Sequence, residues 1–97
     1  MPTYVSLLKF TEHGVKTIKE APARFDAAKK MVEALGGKVL GIYVTMGDYD
    51  IVAITEGPSD EIAAAAALSL ASKGYDRTTT VRAFTEREFT EILTKVV

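Results

Sequence analysis

The chain has 97 residues, no cysteine and a formal net charge of -1, with 47% hydrophobic and 26% charged side chains. One globular domain spanning residues 1–97 follows from that length and balance, rather than a disordered tail or a string of modules. Disulfides, thiolate catalysis and cysteine-held zinc or iron–sulfur centres are excluded, and the near-neutral charge lacks the basic footprint that duplex nucleic acid demands.

Thr3–Phe10 (TYVSLLKF) predicts a first strand, with Tyr4, Ser6, Leu8 and Phe10 on one side and Val5 and Leu7 on the other. Thr11–Ala21 is polar, contains Gly14, and reads as a loop or short helical turn. Pro22 suits the first turn of a helix in which Phe25, Ala28, Val32 and Leu35 recur at helical spacing until Gly36-Gly37 ends it. Lys38–Thr55 then predicts a β-hairpin. Its strands, Val39–Thr45 and Tyr49–Thr55, are dense in β-branched and aromatic residues and turn on Gly47-Asp48.

Gly57-Pro58-Ser59 stops that strand, and Ser59 followed by Asp60 and Glu61 makes an N-terminus for a helix over Ile62–Ser72. Ala65, Ala66 and Ala67 would let this helix lie close to a sheet, with Ile62, Leu68 and Leu70 supplying bulk. The run Ile62–Ala71 has ten residues broken by Ser69, against the ~20 needed to span a bilayer, so no membrane residence is expected. Thr78–Phe84 is β-branched enough for a last strand. Thr85-Glu86-Arg87-Glu88 is a capping box opening a short helix with Phe89, Ile92, Leu93 and Val96 on one face.

The order β-α-β-β-α-β plus a terminal helix is the split βαβ, ferredoxin-like α+β arrangement, with both helices on one face of a four-stranded antiparallel sheet. Crossover handedness places the first strand between the third and fourth, with the second at an edge. The face turned from the helices is expected to carry Tyr4, Ser6, Leu8, Phe10, Gly41, Tyr43, Thr45, Tyr49, Ile51, Ala53, Thr80, Arg82 and Phe84. Such an apolar surface calls for a second subunit. The chain enters its first strand almost at once, leaving no room for a signal peptide, and a cytoplasmic location is expected.

This topology gathers His13, Lys16, Asp48, Tyr49, Asp50, Tyr75, Asp76 and Arg77 at one end of the sheet. Asp50 has two readings: an acceptor for backbone amides that pins the first loop, or a general base or ligand anchor with His13 as its proton partner. His13, the sole histidine, is either solvated or an acid–base or ligand group. One imidazole without ligand spacing predicts no metal. Tyr4, Tyr43 and Tyr49 are candidates to hydrogen-bond a ligand, or amphipathic groups at a subunit interface. Arg82, a charge on an otherwise buried face, calls for a carboxylate of the next subunit or an anionic ligand. The third strand is acidic at its start and aliphatic at its centre, unlike the aromatic strands of RNA-binding domains on this fold. No Gly-rich strand-to-helix turn offers a phosphate or dinucleotide site, so no cofactor is expected.

Tyr4-Val5, the Thr11–Gly14 segment TEHG, Leu35-Gly36-Gly37-Lys38, Gly47-Asp48-Tyr49-Asp50 and the strand from Arg77 to Phe84 together resemble the GYD-domain family over nearly the whole chain. The namesake motif is assigned to the hairpin, although Gly74-Tyr75-Asp76 also spells it. The resemblance implies a dimeric α+β barrel and carries no catalytic residues, since the family's biochemical role is not established. The element order is also similar to the effector-binding domain of leucine-responsive regulators, without their DNA-binding domain. The expectation is therefore a homo-oligomeric, metabolite sensor-like small-molecule-binding module with ligand-binding candidates Tyr4, His13, Tyr43, Tyr49, Asp50 and Arg82. The alternatives are a cofactor-independent monooxygenase- or isomerase-like enzyme using His13, Asp50 and Tyr43, and a purely structural subunit.

Overall fold

The structure, a computed structural model, describes all of residues 1–97. Its elements are β1 (Thr3–Phe10), α1 (Glu12–Lys16), α2 (Ala21–Ala34), β2 (Lys38–Val44), β3 (Ile51–Glu56), α3 (Asp60–Ser72), β4 (Asp76–Ala83) and α4 (Glu86–Leu93). The sheet order is β2-β3-β1-β4 with every neighbouring pair antiparallel, the ferredoxin-like order. No helix is long and apolar enough to cross a membrane.

Local chemistry explains the boundaries. The Thr11–Ala21 segment folds into α1 and a 3-10 turn at Ile18–Glu20, with the Thr11 hydroxyl accepting from the Gly14 amide. Ser59 caps α3 through the Ile62 amide, and Thr85 with Glu88 closes the capping box of α4. Leu35 caps α2, and Gly36 then takes φ +86°, a conformation that favours glycine.

The hairpin is wider than its sequence suggests. β2 ends at Val44 and β3 begins at Ile51. Gly47 alone in this loop has positive φ (+106°), so Gly47-Asp48 is not a two-residue primed turn. The loop is closed instead by the Thr45 amide donating to the Asp50 carbonyl at 2.8 Å and the Thr45 hydroxyl donating to the Tyr49 carbonyl at 2.6 Å.

The sheet faces are also corrected. Tyr4, Ser6, Leu8, Ile51, Ala53 and Thr80 point toward α2 and α3, not away from them. Alternation decides which residues share a face. It does not decide which face the helices cover, and β1 is apolar on both sides. Gly41 and Tyr43 are opposite Ile54 and Val52, on the face without helices, because a bulge between Val39 and Gly41 shifts the phase of β2. On α3, Leu68 is 71% exposed while Ala63 and Ala67 turn inward with Ile62, Ala66 and Leu70.

Candidate functional site

Between the sheet and the two long helices lies a cleft of about 730 Å³. Its roof is rich in alanine, with Ala27 and Ala28 on α2 and Ala63, Ala66 and Ala67 on α3, beside the larger Phe25, Val32, Ile62 and Leu70. Alanine removes bulk that would otherwise fill the layer, so the helices cover the sheet without interlocking with it. Only Tyr4, Leu8, Gly14, Ala21, Ile51 and Gly57 are buried in the chain.

The floor of the cleft is divided lengthwise. Along β2 and β3 it is apolar through Val39, Ile42, Ile51 and Ala53, with Thr55 and Glu56 at the Tyr4 end. Along β1 and β4 runs a polar strip: Ser6 is opposite Thr80, their hydroxyls are 3.0 Å apart, and Thr80 is 3.0 Å from the Thr78 hydroxyl. Asp76 continues this face of β4. Its Oδ1 is buried and has no hydrogen-bond partner. Burial pushes the Asp76 carboxyl above the usual aspartate range, with Arg24 opposing that rise and Asp50 adding to it.

The Asp76 end of the cleft is built by two distant segments. The Thr11 amide donates to the Tyr75 carbonyl at 3.0 Å, and the Thr11 hydroxyl donates to the Gly74 carbonyl. Arg24 reaches back from α2 to the carbonyls of Thr17 and Gly14 at 3.0 and 3.2 Å, while its guanidinium lies 4.5 Å from the Tyr75 ring centroid. Gly74-Tyr75-Asp76, the second spelling of the motif, is thus the segment that meets the first loop. At the opposite end the Tyr4 hydroxyl donates to Asp60 at 2.6 Å. Burial first, and then this carboxylate, push the Tyr4 phenol above its ordinary value.

Of the six residues singled out from sequence as ligand-binding candidates, Tyr4 alone lines the cleft. His13 is exposed and stacks on Tyr75, ring centroids 5.0 Å apart. Asp50 accepts from the Phe10 amide at 2.9 Å and donates its own amide to the Leu8 carbonyl, pinning the hairpin to the end of β1. Tyr43 is 57% exposed on the helix-free face, over Gly41. Tyr49 carries the Lys9 ammonium 5.4 Å from its ring centroid, beside Leu7 and Arg77. Arg82 finds its carboxylate within its own chain, Glu88 of α4 at 3.4 Å, and stacks on Phe84. None of His13, Asp50 and Tyr43 lines the cleft, and no group of three or more His, Asp or Glu side chains is placed to hold a metal ion. Reading the residues one by one missed Arg24, which carries no local signal. It had Tyr75 and Asp76 in the right cluster without a role.

The chain has counterparts among known proteins. It is 33% identical over 84 residues to a Thermus thermophilus protein named glutamine synthetase and cystathionine beta-lyase binding protein, covering 86% of this chain and 88% of that one. The crystal structure of TTHA0845, also from Thermus thermophilus, superposes with a TM-score of 0.56 at 24% identity, over 88% of this chain and 95% of that one, a likeness of fold. The GYD-domain model matches residues 4–93, so the same stretch that builds the sheet, the cleft and both of its ends places the chain in the GYD-domain family.

Proposed function

We propose that this chain is a homo-oligomeric binding module that holds a small, largely apolar molecule in the cleft between its sheet and helices. The cleft carries the reading. Its volume of about 730 Å³ lies inside one chain, within the ~300–1,000 Å³ typical of ligand pockets, and an apolar lining with few polar groups is the usual composition of such sites.

Self-association is supported by the unburied surface. The chain exposes 6664 Å² where about 5,400 Å² is usual for its size. Its radius of gyration is 14.5 Å against about 12.5 Å for a compact domain of this length. On the helix-free face, Val5 of β1 is opposite both Ile54 and Val81, and Leu7 is opposite Val52. That patch fits a second copy of the same sheet. Native mass spectrometry of the protein taken from its source cells tests both parts. A dimer or larger assembly carrying extra non-protein mass is expected, and a bare monomer overturns the reading.

A second reading, docking onto an enzyme, is favoured by the open apolar face of α4, where Phe89 is 55% and Leu93 50% exposed. The name of the Thermus thermophilus relative supports it. Capture of purified glutamine synthetase by the chain, lost in Phe89→Ser, would favour this reading over the first. A cofactor-independent enzyme using His13, Asp50 and Tyr43 has less support, since none of the three lines the cleft.

A further inference from the structure

Asp76 is a carboxyl on the wall of an apolar cleft with one oxygen shut off from solvent and unpartnered. The nearby cation does not satisfy it: Arg24 directs its guanidinium to the Thr17 carbonyl and hydroxyl and to the Gly14 carbonyl. Beside it, the hydroxyls of Thr78, Thr80 and Ser6 form one chain of two hydrogen bonds. Two of their three protons are spent on each other, which leaves one proton and several lone pairs facing the cleft. The polar strip is therefore rich in acceptors and short of donors. The middle of the cleft, floor and roof, is mainly apolar, with Thr55 and Glu56 of β3 and the charged Lys19, Glu20 and Lys73 also in its lining.

Resting on the cleft reading, we propose that the ligand is an apolar, ring-sized molecule carrying a hydrogen-bond-donating hydroxyl or amine, which it presents to Asp76 and the Thr78–Thr80–Ser6 hydroxyls. The rings lie over Leu8, Ile51 and Ala53, and the donor supplies what the chain withholds from Asp76. A carboxylate with one oxygen shut off from solvent gains most from such a donor, because hydrogen bonds to charged groups are the stronger class and an unsatisfied acceptor carries its desolvation cost until one arrives. Lys19 and Lys73 also border the cleft, so an anion is the competing ligand chemistry.

Four probes of one shape separate these cases: naphthalene, 2-naphthol, 2-naphthylmethylamine and 2-naphthoate, titrated against the full chain by probe fluorescence. The naphthol and the amine are expected to bind about tenfold or more tighter than naphthalene. Asp76→Asn should remove the advantage of the amine, and Thr78→Val should reduce that of the naphthol. Naphthalene affinity should stay unchanged in both variants, which also reports that the cleft remains folded. Equal binding of all four, or tightest binding of the naphthoate, overturns the assignment to Asp76 while leaving the cleft as a binding site. Binding of none overturns the cleft reading and this inference together.

Discussion

At Gly14 the first loop passes so close to the Tyr75 carbonyl that a β-carbon would collide with it. The obstacle is backbone, and the Thr11 amide is bonded to the same carbonyl, so the loop cannot yield without losing its anchor. Gly14→Ala is expected to destabilise by roughly 2 kcal/mol or more in urea denaturation. The nearest atoms to a β-carbon at Gly41 belong to the Tyr43 ring, an exposed side chain that can swing aside, so Gly41→Ala should cost less than about 1 kcal/mol. Equal costs would contradict the docking of Thr11–Gly14 on Gly74–Tyr75. Asp76 provides a test in pH. Its folded pKa is raised by burial, so the native state holds the proton more readily than the unfolded chain. The stability this group contributes is full below the ordinary aspartate pKa and is lost as pH rises through the raised value. Asp76→Asn cannot ionise and escapes that loss. Its melting temperature should exceed that of wild type at neutral pH, and the gap should narrow toward about pH 4. A gap that does not change with pH would contradict the burial of this carboxyl.

At the scale of elements, α4 is held by its own chemistry more than by the fold. The Thr85 hydroxyl accepts from the Glu88 amide, the Glu88 carboxylate accepts from the Thr85 amide, and Arg82 adds an ion pair. The Thr85 amide, the largest influence, holds the Glu88 carboxyl below the usual glutamate range; burial opposes it, and Arg82 adds to the lowering. Thr85→Ala is expected to cost the helix about 1 kcal/mol, read as faster amide exchange over Glu86–Leu93 with the sheet unaffected. Exchange that is unchanged would mean that packing, not capping, holds α4. This element was legible because its signals are local: a capping box and an i, i+3, i+4 apolar stripe. The strand order was legible for a similar reason, since connection lengths and crossover handedness leave few choices. The orientation of the sheet was not. Val5 and Leu7 are as apolar as Tyr4 and Leu8, and the Leu40 bulge that reverses the phase of β2 has no sequence mark. The cleft was hidden too, because alanine on a helix face fits close packing as well as it fits standing off.

At the scale of the molecule, a small chain with only six buried residues derives little stability from its own interior, and the shortage points in two directions. One is inward, to the cleft. The other is outward, to the helix-free face, where Val52 and Ile54 are opposite Leu7 and Val5. Val52→Lys places a charge in the middle of that patch and should shift the protein to monomer in size-exclusion chromatography. Wild type and variant eluting alike would remove this face from the assembly. The residues that surround the cleft come from the first loop, both long helices and all four strands, so no single motif announces it. Arg24 and Asp76 become neighbours only when α2 and β4 are brought together by the fold.

Thermal melting of Ala66→Leu, with and without 2-naphthol, tests the open cleft most directly. Ala66 faces the cleft from α3. If the space is there, the added side chain buries itself in it, melting rises by roughly a few degrees and the stabilisation by 2-naphthol disappears. If the helices close on the sheet in solution, the same substitution overpacks the layer and melting falls, with any response to 2-naphthol left as it was.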